Sequence, residues 1–246
     1  MWIDSHCHTE DDDALQRGRA GGVTHFVVVG TDLETSTKAV ETAARHADVF
    51  ATVGLHPHDA KQLDDEWEQI VALVDSPKVV GIGEAGFDLF YEHSPVAEQS
   101  VAFERQIRLA QERDLPLVIH ARDAWHETFE MLESVGVPRR TVFHCFTGGI
   151  AEARRALSLG CSLSYSGIVT FKNAEDLRAA AAVTPADRLL CETDAPFLSP
   201  VPLRGKPNEP AFIALVGAAL AEARGETVEA VAEYTSKNAI AMFGLS

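Results

Sequence analysis

A single (β/α)8 TIM barrel, an α/β fold, is what this sequence predicts, and three observations lead to it. Short apolar, β-branched runs alternate with longer amphipathic stretches along the whole chain. Its 246 residues suit one such barrel, which takes about 250. Six potential metal ligands, His6, His8, Glu84, His120, His144 and Asp194, stand mostly where an apolar run stops. In a parallel barrel the carboxyl ends of the strands converge on one face.

Trp2 and Ile3 open the series of strands, which continues at 23–29, 49–53, 79–82, 117–119, 141–143, 161–165 and 189–191. Such near-continuous apolar runs are typical of parallel strands covered on both faces. Helices are predicted between them at 11–19, 33–47, 64–74, 96–113, 124–135, 151–159 and 174–182. Gly21-Gly22, Gly160, Pro77, Pro116, Pro138 and Pro185 fall where a helix should end before the next strand. The tail, 209–220 and 228–243, reads as two Ala-rich helices that close the last unit. With no internal repeat and no low-complexity linker, one domain is expected over 1–246. A doubly wound open sheet is the alternative architecture, but it would not bring ligands from the first and last strands together.

Composition narrows the function. With 46% hydrophobic and 24% charged residues the chain can bury a large core. No apolar stretch approaches the roughly 18 residues of a membrane span, and no basic leader precedes one. Cys7, Cys145, Cys161 and Cys191 lie in or beside buried strands without paired spacing, so reduced thiols and a cytoplasmic location are expected. A formal net charge of −16 excludes a broad basic surface that coats nucleic acid. It does not exclude a metallonuclease, because bound cations can dominate the field of a site.

The ligand types point to metal chemistry. His6 and His8, two residues apart at the end of a strand, point to the same side while Cys7 turns away. A His-x-His pair alone would also suit surface or capping histidines. Glu84 follows a very apolar run, where an ionised carboxylate needs a cation or hydrogen bonds. His120 and His144 end successive strands, and Asp194 follows the last one. Together these imidazoles and carboxylates predict a metal-dependent hydrolase, with two divalent ions that a shared carboxylate can bridge. Zinc, manganese, magnesium, iron and nickel all suit the donors. No Ser or Cys sits in a nucleophile elbow, so covalent catalysis is not expected. Arg122 and Lys206 are the cationic candidates for substrate contact, and His56 and His58 the neutral ones.

The segments Asp4-Ser5-His6-Cys7-His8, Gly54-Leu55-His56-Pro57-His58, Gly83-Glu84-Ala85-Gly86-Phe87-Asp88, His120-Ala121-Arg122, Phe143-His144-Cys145-Phe146-Thr147-Gly148 and Glu192-Thr193-Asp194-Ala195-Pro196 resemble the TatD family of metal-dependent deoxyribonucleases. Phe171-Lys172-Asn173 and Gly205-Lys206-Pro207-Asn208-Glu209-Pro210 extend the likeness over essentially the whole chain, in order. The resemblance implies a binuclear hydrolase of the amidohydrolase superfamily that cuts DNA phosphodiesters, typically as an exonuclease. By position it implies His6, His8, Glu84 and Asp194 around the first ion, and Glu84, His120 and His144 around the second. Asp194 and Glu84 would be the catalytic carboxylates. Thr9-Glu10 stands where the family usually has Leu-Asp, and Ala85 and Phe87 are mild variants, none at a ligand position. The expected partner is DNA with single-stranded or frayed ends, with no membrane and no obligate protein. An ester or amide hydrolase, such as an aminoacyl-tRNA deacylase, is the alternative enzyme, and a non-catalytic metal-binding barrel is the alternative outside catalysis.

Overall fold

The computed structural model describes residues 1–91 and 93–245. Its strands are β1 (Trp2–Cys7), β2 (Val23–Val29), β3 (Val49–Val53), β4 (Val79–Asp88), β5 (Leu117–Arg122), β6 (Thr141–Phe143), β7 (Ser162–Tyr165) and β8 (Leu189–Cys191). They form one sheet in the order β1 to β8. The pairs β3 with β4, β4 with β5, β5 with β6 and β7 with β8 are parallel. Helices α1 (Asp12–Ala20), α2 (Leu33–Arg45), α3 (Leu63–Val74), α4 (Val96–Arg113), α5 (Trp125–Val135), α6 (Ile150–Ser158) and α7 (Glu175–Val183) alternate with them, and α8 (Ile213–Arg224) and α9 (Val228–Phe243) follow. This is the (β/α)8 TIM barrel that the alternation predicts.

Contacts gather the chain into two compact units, Val28–Phe143 and a second made of Met1–Val27 with the chain from His144 onward. In the second unit the first strand meets the last. The Asp194 N–H donates to the His6 carbonyl at 3.0 Å, and the His8 N–H donates to the Ala195 carbonyl at 2.7 Å. An open doubly wound sheet leaves those strands apart, so that alternative falls. Here α8 lies so close to β1 that a Cβ at Gly217 would overlap the Trp2 ring. Glycine is required by that approach.

Unit Val28–Phe143 is set by α2 and α4. Asp32 and Thr35 form a capping box that starts α2, and Ser36, Ala39, Thr42 and Ala43 form its buried stripe. On α4 two fully buried glutamines, Gln99 and Gln106, stand seven residues apart on the inner face. Each clamps a backbone segment as a neighbouring strand would. Gln106 accepts from the Leu55 N–H and donates to the Leu55 carbonyl, both at 2.9 Å. Gln99 does the same to Asp88, at 2.9 and 3.1 Å.

Three strands run beyond their apolar cores. β1 extends to Cys7, β4 to Asp88 and β5 to Arg122, which puts His6, Glu84 and His120 inside strands rather than at their ends. The ladder continues through polar residues, with Gly86 opposite His120 and Asp88 opposite Arg122. Gly86 has φ +145°, and a Cβ there would overlap the His120 carbonyl oxygen. The segment predicted as one helix at 209–220 splits instead into a 3-10 turn at Pro210–Phe212 and then α8. Pro210 lacks the N–H an interior helical position needs, so it sits in the opening turn.

Candidate metal centre

In the unit formed by the two ends of the chain, β1 and the segment after β8 supply one group of donors. His6 is fully buried, and Nε2 of His6 lies 3.1 Å from Nε2 of His8. Oδ1 of Asp194 is 3.4 Å from His8 Nε2 and 3.9 Å from His6 Nε2. Two ligands of a tetrahedral zinc-like ion stand about 3.3 Å apart, given metal–donor bonds of about 2.0–2.1 Å. The three atoms therefore outline one face of a coordination shell. Asp194 adopts φ +58° and is held there by its own N–H on His6 and by the Phe197 N–H on its carbonyl at 2.8 Å. Asp4, buried beneath, accepts from the Thr193 N–H at 2.9 Å and the Thr193 hydroxyl at 2.6 Å. Burial pushes the Asp4 carboxyl up to about 7, against the pull of those bonds.

His144 joins this group. Its ring stacks on that of His6 at 3.7 Å with 12° between the planes. Nδ1 of His144 lies 3.1 Å from Oε1 of Glu192, and the same oxygen accepts from the Cys145 N–H at 2.7 Å. A carboxylate on one ring nitrogen fixes the tautomer and leaves the other nitrogen's lone pair for an ion. Glu192 thus turns His144 Nε2 into the donor. Oε2 of Glu192 is buried with no hydrogen-bond partner among the described residues, a costly state that a nearby cation relieves. Burial raises the Asp194 carboxyl, but the bond from His8 and the charges of His8, His144 and His6 bring it below the usual carboxylate range.

Unit Val28–Phe143 holds another group, made of His56, Glu84 and His120. Oε1 of Glu84 lies 2.9 Å from His120 Nδ1 and 3.5 Å from His56 Nε2. Asp88, four residues along β4 from Glu84 and on the same face, is saturated. Its Oδ1 accepts from the N–H groups of Phe90 at 3.0 Å and Tyr91 at 2.9 Å, and its Oδ2 from His58 Nε2 at 2.9 Å and His120 Nε2 at 3.1 Å. Burial pushes Asp88 up, yet those donors hold it well below the usual carboxylate range. His120 therefore spends Nε2–H on Asp88 and keeps Nδ1 as the donor atom beside Glu84. His56 differs. Its Nδ1 accepts from the His58 N–H at 3.1 Å, so in the neutral ring Nε2 carries the proton and faces Glu84 as a hydrogen-bond donor. Burial, then the charge of His120, lowers His56 to about 4, which keeps the ring neutral.

The six residues expected from the sequence as ligands thus fall into two groups, one with His6, His8, His144 and Asp194 and the other with Glu84 and His120. The structure sets His144 against His6 and Glu192. Glu192 was missed by sequence reasoning, although it stands two residues before Asp194 with the same spacing that singled out His6 and His8. His56 and His58, expected to contact substrate, line the second group. Arg122 ends β5 with its guanidinium 4.2 Å from the Phe90 ring centre. Lys206 is exposed and makes no side-chain bond to any of these donors among the described residues.

Donor sets of imidazole and carboxylate on a TIM barrel are those of a metal-dependent hydrolase. The family model of TatD related DNases matches residues 3–244, and the chain belongs to the TatD family. It is 38% identical to an uncharacterised metal-dependent hydrolase, YabD, of Bacillus subtilis, over 100% of both chains. It is 40% identical to a 3'-5' ssDNA/RNA exonuclease, TatD, of Cronobacter sakazakii, over 94% of this chain and 91% of that protein. The crystal structure of YjjV, a TatD homologue from Escherichia coli, superposes with a TM-score of 0.91 at 29% identity, covering 100% of this chain and 98% of the other. Among the described residues no helix is long and apolar enough to cross a membrane.

Proposed function

We propose that this chain is a divalent-metal-dependent phosphodiesterase that trims single-stranded or frayed DNA ends, acting as an exonuclease with two ions. The observation that carries the reading is the spacing of His6 Nε2, His8 Nε2 and Asp194 Oδ1, which matches neighbouring ligands on one ion. The exonuclease names of relatives such as the Cronobacter protein favour a nucleic-acid end as substrate. A bound divalent ion supplies Lewis acidity toward phosphoryl oxygen and lowers the pKa of water to near neutrality.

The chain's own residues do the rest. His6, His8 and Asp194 hold the ion of one group, with His144 Nε2 aimed by Glu192. Glu84 and His120 Nδ1 hold the ion of the other. Asp194, a carboxylate at neutral pH by its lowered pKa, takes the proton of the attacking water. His56 and His58, their Nε2–H groups turned to Glu84 and Asp88, border the place of the substrate phosphate, and Arg122 and Lys206 contact the polynucleotide. Four cysteines, none in a disulfide among the described residues, suit a reducing, cytoplasmic setting.

End-labelled single-stranded DNA, aminoacyl-tRNA and small amides, assayed side by side with and without chelator, test the reading. Hydrolysis of the labelled DNA from an end, abolished by chelator, is expected. Turnover of aminoacyl-tRNA or amides without phosphodiester cleavage would replace it with the ester or amide hydrolase. Rapid cutting of a closed circular single strand would replace the exonuclease with an endonuclease.

A further inference from the structure

The turn after β4 leaves two large rings in water. Phe90 is 54% exposed and Tyr91 43% exposed. The Arg122 guanidinium lies over both, 4.2 Å from the Phe90 centre and 4.7 Å from the Tyr91 centre, and the two rings meet edge to face at 4.7 Å and 88°. Arg122 has no carboxylate within ion-pair distance among the described residues, in a chain of net charge −16. The turn is also fixed in place. Asp88 takes the N–H groups of Phe90 and Tyr91 on one oxygen and His58 and His120 on the other. From Tyr91 the aromatic surface continues through His93, stacked at 5.7 Å and 21°, to His58 at 4.6 Å.

We propose that Phe90, Tyr91 and Arg122 form a stacking subsite for a nucleobase of single-stranded polynucleotide, a proposal that rests on the phosphodiesterase reading. Flat π faces beside a planar cation match the two parts of a nucleotide, since bases stack on aromatic rings and guanidinium planes while phosphate seeks positive charge. Apolar exposure alone would suit many partners. The guanidinium, without a carboxylate partner among the described residues, selects a flat, anionic one. Asp88 ties the subsite to His120, so the same carboxylate positions the base platform and a metal-ligand candidate.

The test is steady-state kinetics of the metal-loaded protein on short single-stranded oligonucleotides. Each carries a purine, a pyrimidine or an abasic unit at successive positions from the cleaved end. Phe90→Ala and Arg122→Lys are compared with the unaltered protein, the latter keeping the charge but losing the plane. Both should raise KM by about 5- to 100-fold on purine substrates, as loss of one stacked base does, with kcat nearly unchanged. On the oligonucleotide whose abasic unit falls at the subsite, the variants and the unaltered protein should converge. An equal KM penalty on intact and abasic substrates would overturn the proposal, because the residues would then hold backbone rather than base. Unchanged KM for both variants would also overturn it. If the unaltered protein cuts no oligonucleotide, the phosphodiesterase reading itself fails, and the subsite fails with it.

Discussion

The two donor groups are built from the same residue types but satisfied in opposite ways. Around Asp88, four N–H groups converge on one carboxylate, and the hydrogen bonds close without any ion. Around His6, two imidazoles stack face to face at 3.7 Å, two Nε2 atoms meet at 3.1 Å, and Glu192 keeps a buried oxygen without a partner among the described residues. A self-sufficient network holds its geometry before the metal arrives, whereas a group that buries a carboxylate oxygen with no partner among the described residues needs the cation to be stable. The first arrangement fixes direction. The second stores the demand for charge.

The largest expected effect sharpens the place of Glu84 in this contrast. The resemblance gives Glu84 to both ions, while the structure shows it with His56 and His120. Glu84→Ala should take activity to background and leave the protein folded, because the barrel core does not include the ions. If Glu84 bridges, elemental analysis of the variant gives metal content near zero. If it serves only its own group, one ion per chain remains. Two tightly bound ions in the folded variant would remove Glu84 from the ligands altogether.

Next comes Asp194→Asn. Asn keeps the shape and one oxygen but cannot take a proton, and a general base contributes about 10²- to 10⁴-fold. Turnover should fall by that range, with most of the metal retained by the histidines and Glu84. Near-normal turnover at saturating metal would make Asp194 a peripheral ligand. A pH–rate profile of the unaltered protein should lose activity on its acidic side as this carboxylate is protonated, and the variant should lack that limb.

A smaller effect breaks or upholds the contrast directly. Glu192→Gln and Asp88→Asn each neutralise a carboxylate that aims a ligand histidine, a change of about 10- to 100-fold in metal affinity or activity. They should not behave alike. Asp88 also holds the Phe90–Tyr91 turn, so Asp88→Asn should raise hydrogen exchange at those amides even in metal-free protein. Glu192→Gln should lower metal affinity while relieving the charge buried without ion, so the metal-free protein should be more thermostable than the unaltered one. A metal-free Glu192→Gln protein that melts lower would contradict the unsatisfied state of the His6 group.

How much of this was legible beforehand follows from what each residue's neighbours do. Apolar runs gave all eight strands and their order, since burial on both faces leaves a plain signature. Strand ends were misplaced where polar residues continue the ladder. Asp88 lies in β4 because Gln99 and four N–H donors satisfy it, and no local pattern announces a glutamine eleven residues away. The donor identities were visible in the motifs, but their partners were not. Glu192 could have been found, because Glu-x-Asp at the end of β8 repeats the His-x-His spacing of β1. The tautomer of His56 could not, since it depends on the turn that brings the His58 N–H onto Nδ1.

The smallest expected effect separates the two cations assigned to substrate. Arg122 is stacked on rings, whereas Lys206 is exposed in the loop before the Pro210 turn, its N–H bonded to the Leu203 carbonyl at 3.1 Å. An exposed lysine that meets a phosphate contributes charge alone, so Lys206→Ala should weaken oligonucleotide binding to a similar degree for every base. The slope of log affinity against log salt should shrink by about 0.7, the increment for one phosphate on a single strand. Arg122→Lys keeps its charge, so it should leave that slope unchanged and alter base dependence instead. If Lys206→Ala leaves both affinity and salt slope untouched, Lys206 meets no phosphate, and the positive contribution to binding must come from Arg122 and the ions.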